Sequence, residues 1–303
     1  MKAWLNGKFI KWDRVKVSLL THSFGRGSAL FEVLDIVSNE NGTALFGIDE
    51  HIDRLFNSAR LMYMKLPMTK EEIIRACIDT VKKNKTRVGM LKLYAYYSGI
   101  ELTSIPNDTT IDIAIFTIDF NKMHLDLEEL SKPVDVLISS YRKYHPQSVP
   151  VQAKVSGNYV NPYLSLMEGK EKGLDNVITL DLSGNIAEGA TSSAFFVKDG
   201  KIKVPALDNV LSGITRMAVI EAAKDIGIEV EITDIPHEEV GEFEEAFYSG
   251  SVQHVQPIRS IDGKTLSDCC PGPVTENVMG AMKDVYEGKN SMLNRWLTYI
   301  KGV

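Results

Sequence analysis

Three short segments, in fixed order in the second half of this 303-residue chain, say more about its architecture than any bulk property. They read Ala153-Lys154-Val155-Ser156-Gly157-Asn158-Tyr159, then Ile186-Ala187-Glu188-Gly189-Ala190, then Leu211-Ser212-Gly213-Ile214-Thr215-Arg216. The first puts an amine shortly before a phenol where a helix begins. The second ends a short strand in an acid followed by small residues. The third is a small-residue turn opening a helix, where unpaired amides and the positive dipole end favour an anion.

The surrounding pattern is α+β in two unequal halves. Residues 28–37, 89–97 and 111–118 read as strands, with Phe31, Val33 and Ile36 among the apolar positions of the first. Residues 49–64 read as a helix with Leu55, Ala59 and Met62 on one face, and Thr69 opens another with a capping-box pattern. A more polar stretch suggests a linker over 119–132, between an N-terminal α/β domain (1–118) and a C-terminal domain (133–303). In the second half, strands are expected at 134–139, 176–182, 186–188, 194–197 and 246–249. Helices are expected at 159–172, 214–226 and 275–287, the second burying Val219, Ala222, Ala223 and Ile226 on one stripe.

Composition narrows the function classes. The chain is 44% hydrophobic with a net charge of −6, which leaves no basic footprint for nucleic acid. No apolar run has the roughly 20 residues a spanning helix needs, and the N-terminus has no signal-peptide core. Cys77, Cys269 and Cys270 match neither metal spacing nor a disulfide framework, so a cytoplasmic setting and no metal are expected. Gly25-Arg26-Gly27 and Gly263-Lys264-Thr265 are incomplete as nucleotide-binding motifs. The acidic stretch 237–245 reads as a solvated helical turn.

An amine, a carboxylate and phosphate donors are the groups a pyridoxal 5′-phosphate (PLP) enzyme requires. Lys154 would supply the amine. A free lysine, with a reference pKa of about 10.4, is protonated and not nucleophilic, but desolvation or a nearby cation lowers that value. Taken alone, Lys154 would read as one more surface lysine, Tyr159 as a core aromatic and Glu188 as an exposed strand end. Ser212 could simply cap the helix after it. Ser249-Gly250-Ser251-Val252 could add a hydroxyl and amides to a phosphate site. Arg54, among apolar helical neighbours, calls for an anion, either a ligand or a nearby acid such as Glu50.

In this order, with His51-Ile52-Asp53-Arg54-Leu55 and Pro257-Ile258-Arg259-Ser260-Ile261-Asp262-Gly263, the chain resembles the class IV (fold type IV) PLP aminotransferases. That family holds branched-chain and D-amino-acid aminotransferases and aminodeoxychorismate lyase. The resemblance implies a two-domain, D-amino-acid aminotransferase-like fold with PLP between the domains. It makes Lys154 the catalytic Schiff-base lysine and proton carrier, with Glu188 on the pyridine nitrogen and Tyr159 on O3′. Arg54, Gly213, Ile214, Thr215 and Ser251 would surround the phosphate, with Leu211 against the ring. Amino transfer from a branched-chain or other hydrophobic L-amino acid to a 2-oxo acid such as 2-oxoglutarate follows, in a homodimer. The alternatives are a D-amino-acid aminotransferase, a lyase, or a non-catalytic binding protein on the same scaffold.

The branched-chain members resemble the C-terminal half best, through Lys154-Val155-Ser156-Gly157-Asn158-Tyr159 and Gly272-Pro273-Val274-Thr275. Their N-terminal half usually carries an aromatic where this chain has Arg26, and a strand arginine where it has Lys92. Arginine grips a carboxylate bidentately, whereas lysine acts as a point charge. Arg26, Phe31, Lys92 and Val252 are therefore the expected substrate-binding residues, with Arg26 free to take a substrate carboxylate or to pair with an acid of the protein.

Overall fold

The computed structural model describes residues 1–124 and 127–303. Leu125 and Asp126, inside the expected linker 119–132, lie outside the described residues. Among the described residues the strands form two sheets. The first contains β1 (Lys2–Leu5), β2 (Lys8–Lys11), β3 (Leu30–Asn39), β4 (Gly42–Phe46), β5 (Gly89–Tyr97) and β6 (Ile111–Asp119). The second contains β7 (Val134–Ile138), β8 (Asn176–Leu180), β9 (Ile186–Gly189), β10 (Ser193–Lys198), β11 (Lys201–Pro205), β12 (Val230–Thr233), β13 (Glu245–Gly250), β14 (His254–Ile261) and β15 (Lys264–Thr265). β16 (Leu297–Ile300) returns from the far end of the chain and pairs with β4, so the first sheet runs β16-β4-β3-β5-β6-β1-β2.

That first sheet is antiparallel throughout, although strands and helices alternate along its sequence. Its core face is set by strand parity. On β3, Leu30, Glu32, Leu34 and Ile36 point inward and are at most 1% exposed, whereas Phe31 and Val33 are half-buried on the other face. The helices Ile48–Leu61 and Lys70–Asn84 cover the inner face with Ile52, Leu55, Ile73, Cys77 and Val81. Each such side chain contributes about 1.5–3 kcal/mol through burial. The capping box at Thr69 forms: its side chain accepts from Glu72 N, and Glu72 accepts from Thr69 N at 2.8 Å.

The second sheet is mixed, in the order β12-β11-β10-β13-β14-β7-β8-β9, with β15 on β14. Alternation puts Phe195 and Phe247 on one face under the helices Ile214–Asp225 and Pro273–Tyr286. Phe196 and Tyr248 lie on the other face, with Ile178 and Ile258. Val219, Ala222 and Ala223 are fully buried as expected, but Ile226 is 43% exposed, because it falls on the C-cap where the helical stripe ends. Phe46 of the first sheet stacks on Trp296 at 5.4 Å between ring centroids, joining the hydrophobic core of the second.

The segment carrying Lys154 docks along the start of β3, on the side where β4 does not pair with it. Phe31 N donates to Lys154 O at 3.1 Å, Ser156 N to Ala29 O at 2.8 Å and Gly157 N to Gly27 O at 2.7 Å. Gly27 has φ +68°, and a Cβ there would sit 2.8 Å from Gly157 Cα, so the two backbones can meet this closely only with glycine at 27, while a Cβ at 157 would be a tight 3.2 Å from Gly27 O. This ladder fixes the lysine against the first sheet.

Candidate active site

Lys154 is held at both backbone ends, its N–H donating to the buried Ser58 hydroxyl at 3.0 Å, and its side chain turns inward. Nζ donates to Tyr159 Oη at 2.7 Å and lies 4.9 Å from the centroid of the Phe31 ring. Burial, seconded by the nearby Arg54 cation, pulls its pKa down to about 7, against the opposing pull of Glu32 and Glu188. A substantial fraction of this amine is thus neutral at physiological pH. Burial pushes the Tyr159 phenol well up, so it stays protonated. Tyr159 is placed by the 3₁₀ turn Ser156–Tyr159, which feeds the helix Val160–Glu171.

Glu188 stands on β9 among buried neighbours, its carbonyl accepting from Thr179 Oγ1 at 2.9 Å. The residue after it must be glycine, since a Cβ at 189 would fall 2.6 Å from Ser192 Oγ and 2.7 Å from the Tyr248 ring. One carboxylate oxygen pairs closely with Lys143 Nζ.

Arg54 comes from the helix Ile48–Leu61 and is 9% exposed in its side chain. Its acid partner is Glu32, not Glu50: Nε donates to Oε1 at 2.9 Å and Nη2 to Oε2 at 2.6 Å. Glu50, although one helical turn from Arg54, instead binds Arg295 at 2.7 Å. Burial raises the Glu32 pKa, but Arg54 and the bond from His51 outweigh it and hold the carboxyl down to about 2. Glu32 is therefore ionised, and His51, whose own pKa burial lowers, presents Nδ1–H to it at 2.7 Å. Arg54 Nη1 donates to Ser212 O at 2.9 Å, just before the helix Ile214–Asp225.

Ser212 does not cap that helix. Gly213 occupies the N-cap, without a side-chain bond, and a Cβ there would meet Ser193 Oγ at 2.8 Å. The first-turn amides thus have no side-chain acceptor among the described residues, and Gly213, Ile214 and Thr215 line a cavity. That cavity is lined by Arg54, Lys154, Tyr159, Glu188, Leu211, Gly213, Ile214, Thr215 and Ser251, which are all nine of the expected cofactor contacts. Lys143, Ser192 and Ser249 share its wall, and the buried hydroxyls of both serines lack a hydrogen-bond partner among the described residues.

The expected substrate residues are spread more widely. Phe31 packs edge-on against Tyr159 at 4.8 Å, and Lys92 Nζ lies 5.6 Å from the Phe31 ring and 5.1 Å from that of Tyr94. Arg26 does not enter the cavity of Lys154. It is exposed on a second, largely apolar cavity with Trp12, Phe24, Tyr94 and Phe116, and donates to Gly25 O. Val252 is half-buried in the turn after β13 and lines neither cavity.

Sequence reasoning missed Glu32, His51 and Lys143. Glu32 left a signal: an acid on the inward parity of a strand, between Leu30 and Leu34, has to find a cation. Lys143 left none, since it lies in the irregular segment after β7 and its partner is 45 residues away on β9.

The class IV amino-transferase family profile matches residues 29–261. The branched-chain-amino-acid aminotransferase of Salmonella typhimurium is 30% identical over 296 residues, covering 97% of this chain and 96% of its own length. Among solved structures, the branched-chain aminotransferase of Thermoproteus uzoniensis with norvaline superposes with a TM-score of 0.93 at 30% identity, covering 99% of both chains. The holo PLP form of the Thermobaculum terrenum enzyme gives 0.89 at 30% identity, over 98% of this chain and 97% of that one. The chain belongs to the class IV aminotransferases. Its α+β fold is fold type IV.

Proposed function

We propose that the chain is a PLP-dependent aminotransferase that moves the amino group of a branched-chain or other hydrophobic L-amino acid to a 2-oxo acid such as 2-oxoglutarate. The observation that carries this reading is a buried amine of pKa about 7, bonded to a protonated phenol, in one cavity with Glu188 and an uncapped helix start. The cavity suits PLP in its donor set. Cationic Arg54 and free first-turn amides match the phosphate, the acid of Glu188 matches a pyridine nitrogen, and the unpaired Ser192 and Ser249 hydroxyls need an acceptor or donor from outside the chain.

PLP bound there supplies an electrophilic carbon for an amine and a ring that accepts the electrons left at Cα. The protein does the rest. Lys154 Nζ, neutral above pH about 7, would take up the substrate Cα proton and hold it for return on the other side of the amino nitrogen. Tyr159 Oη holds that amine and would hold the ring oxygen beside it. Glu188 would hold a proton on the pyridine nitrogen. Arg54, the amides of Ile214 and Thr215, and Ser251 would bind the phosphate, while Leu211 would lie against the ring. Such a constellation serves turnover rather than mere binding, which favours the enzyme over a non-catalytic scaffold.

The lysine gives a pH dependence with a definite sign. Below pH about 7 Nζ is an ammonium and cannot attack; above it the amine is free. Covalent capture of PLP by the apo chain rises with pH and is half-maximal near pH 7, as absorbance transients across pH 5.5–10 will read. A midpoint above pH 9 would contradict the burial argument.

Substrate choice is tested by mixing the PLP-loaded chain with L- and D-amino acids one at a time and following the cofactor spectrum. Conversion by L-leucine, L-isoleucine and L-valine is expected; conversion by D-amino acids alone would replace this reading with the D-specific one. Lys92 forms no ion pair among the described residues and stands beside Phe31, so it is assigned to the acceptor's second carboxylate. Lys92→Met should raise KM for 2-oxoglutarate about tenfold, the equivalent of one charged hydrogen bond, and leave that for L-leucine within about threefold. Equal changes in both would remove Lys92 from this role.

The units 1–118 and 133–303 are proposed as the two domains, with β16 crossing back onto the first. The chain is read as a homodimer, which the exposed Leu19, Leu20, Phe24, Leu102 and Ile105 support, since so many exposed apolar side chains favour a partner surface. A cytoplasmic setting suits the free thiols of Cys77, Cys269 and Cys270.

A further inference from the structure

The geometry points to Glu32 as a positioning residue for the phosphate end of the site: its buried carboxylate, gripped by His51, locks the Arg54 guanidinium so that its free N–H groups face the helix start. This rests on the reading of Arg54 as a phosphate ligand. The Arg54 side chain has five N–H donors in one plane. Two are spent on the two oxygens of Glu32, at 2.9 and 2.6 Å, and one on the carbonyl of Ser212, at 2.9 Å. Contacts on two edges leave the plane no freedom to turn, and the two remaining donors lie on a group that lines the cavity with Gly213, Ile214 and Thr215.

Glu32 in turn has no freedom. It is fully buried on β3, Oε2 accepts from His51 Nδ1 at 2.7 Å, and the neighbouring inward residues Leu30 and Leu34 are fully buried as well. An arginine with no such partner would sample several rotamers in a cavity this size, and ordering them on binding would weaken its hold on an anion. Glu32 also counters the charge of Arg54 at Lys154: Arg54 pulls the lysine pKa down while Glu32 pulls it up. One carboxylate thus aims a cation at the phosphate and limits that cation's effect on the reactive amine.

The test compares pyridoxamine 5′-phosphate with pyridoxamine, which differ only in the phosphate and need no covalent link to bind. Dissociation constants are measured by calorimetry or fluorescence on the full apo chain, for wild type, Glu32→Gln and Arg54→Gln. The expected result is that Glu32→Gln lowers the preference for the phosphorylated form at least tenfold, changes pyridoxamine affinity less than threefold, and shifts the pH midpoint of PLP capture downward. An unchanged preference in Glu32→Gln, beside a lowered one in Arg54→Gln, would overturn the inference and leave the phosphate assignment standing. An unchanged preference in both would overturn the two together. Should Glu32→Gln not fold, Glu32→Asp keeps the charge but withdraws it by one methylene. The preference should then fall at least threefold, and an unaltered value would equally overturn the role.

Discussion

Replacing Lys154 with alanine leaves a folded chain that binds PLP without capturing it and whose turnover falls by at least about 10⁴-fold, the loss of a proton carrier and covalent anchor in one residue. The fold survives because the segment is held by its backbone. The bonds from Phe31 N and to Ser58 Oγ involve main-chain atoms that alanine also has. The lost amine is one that burial disfavours in its charged form, so its removal relieves a desolvation cost. Thermal unfolding of the apo chain should therefore occur at an equal or slightly higher temperature. Steady-state assays settle the catalytic part: turnover within tenfold of wild type would take the chemistry away from this residue.

Glu188→Gln is the second large effect. The amide preserves the shape of the acid and can still bond a pyridine nitrogen, but it cannot stabilise a proton there. Its consequence belongs to the transition state, where the ring must take up electrons, and not to ground-state binding. A loss of about 10²–10³-fold in kcat is expected, similar to removing one preorganised electrostatic contact, while the PLP dissociation constant moves less than about tenfold. A parallel loss in both quantities would mean that Glu188 merely shapes the pocket. The same substitution frees Lys143, whose ammonium pairs with this carboxylate and lines the same cavity.

Local signals carried far. The run 89–97 becomes β5 with those limits, the Thr69 box caps the helix Lys70–Asn84, and the three ordered segments converge on a single cavity. What stayed hidden is non-local. The strand β16 pairs with β4 across some 250 residues, and no periodicity in either segment announces that pairing. Arg54 illustrates the same limit: a neighbour on its own helix was the natural acid to suggest, yet its partner comes from β3. Gly213 rather than Ser212 stands at the N-cap, and its lack of a side chain answers crowding by Ser193, on a strand twenty residues earlier. Arg26 is the opposite case, singled out by its place in a motif and found exposed on a separate cavity.

The most direct test reduces the PLP-treated chain with borohydride, digests it and locates the pyridoxyl group by mass spectrometry. A single modified site at Lys154, absent from Lys154→Ala, is the predicted result. No adduct, or one carried by Lys143 on the same cavity wall, would contradict it.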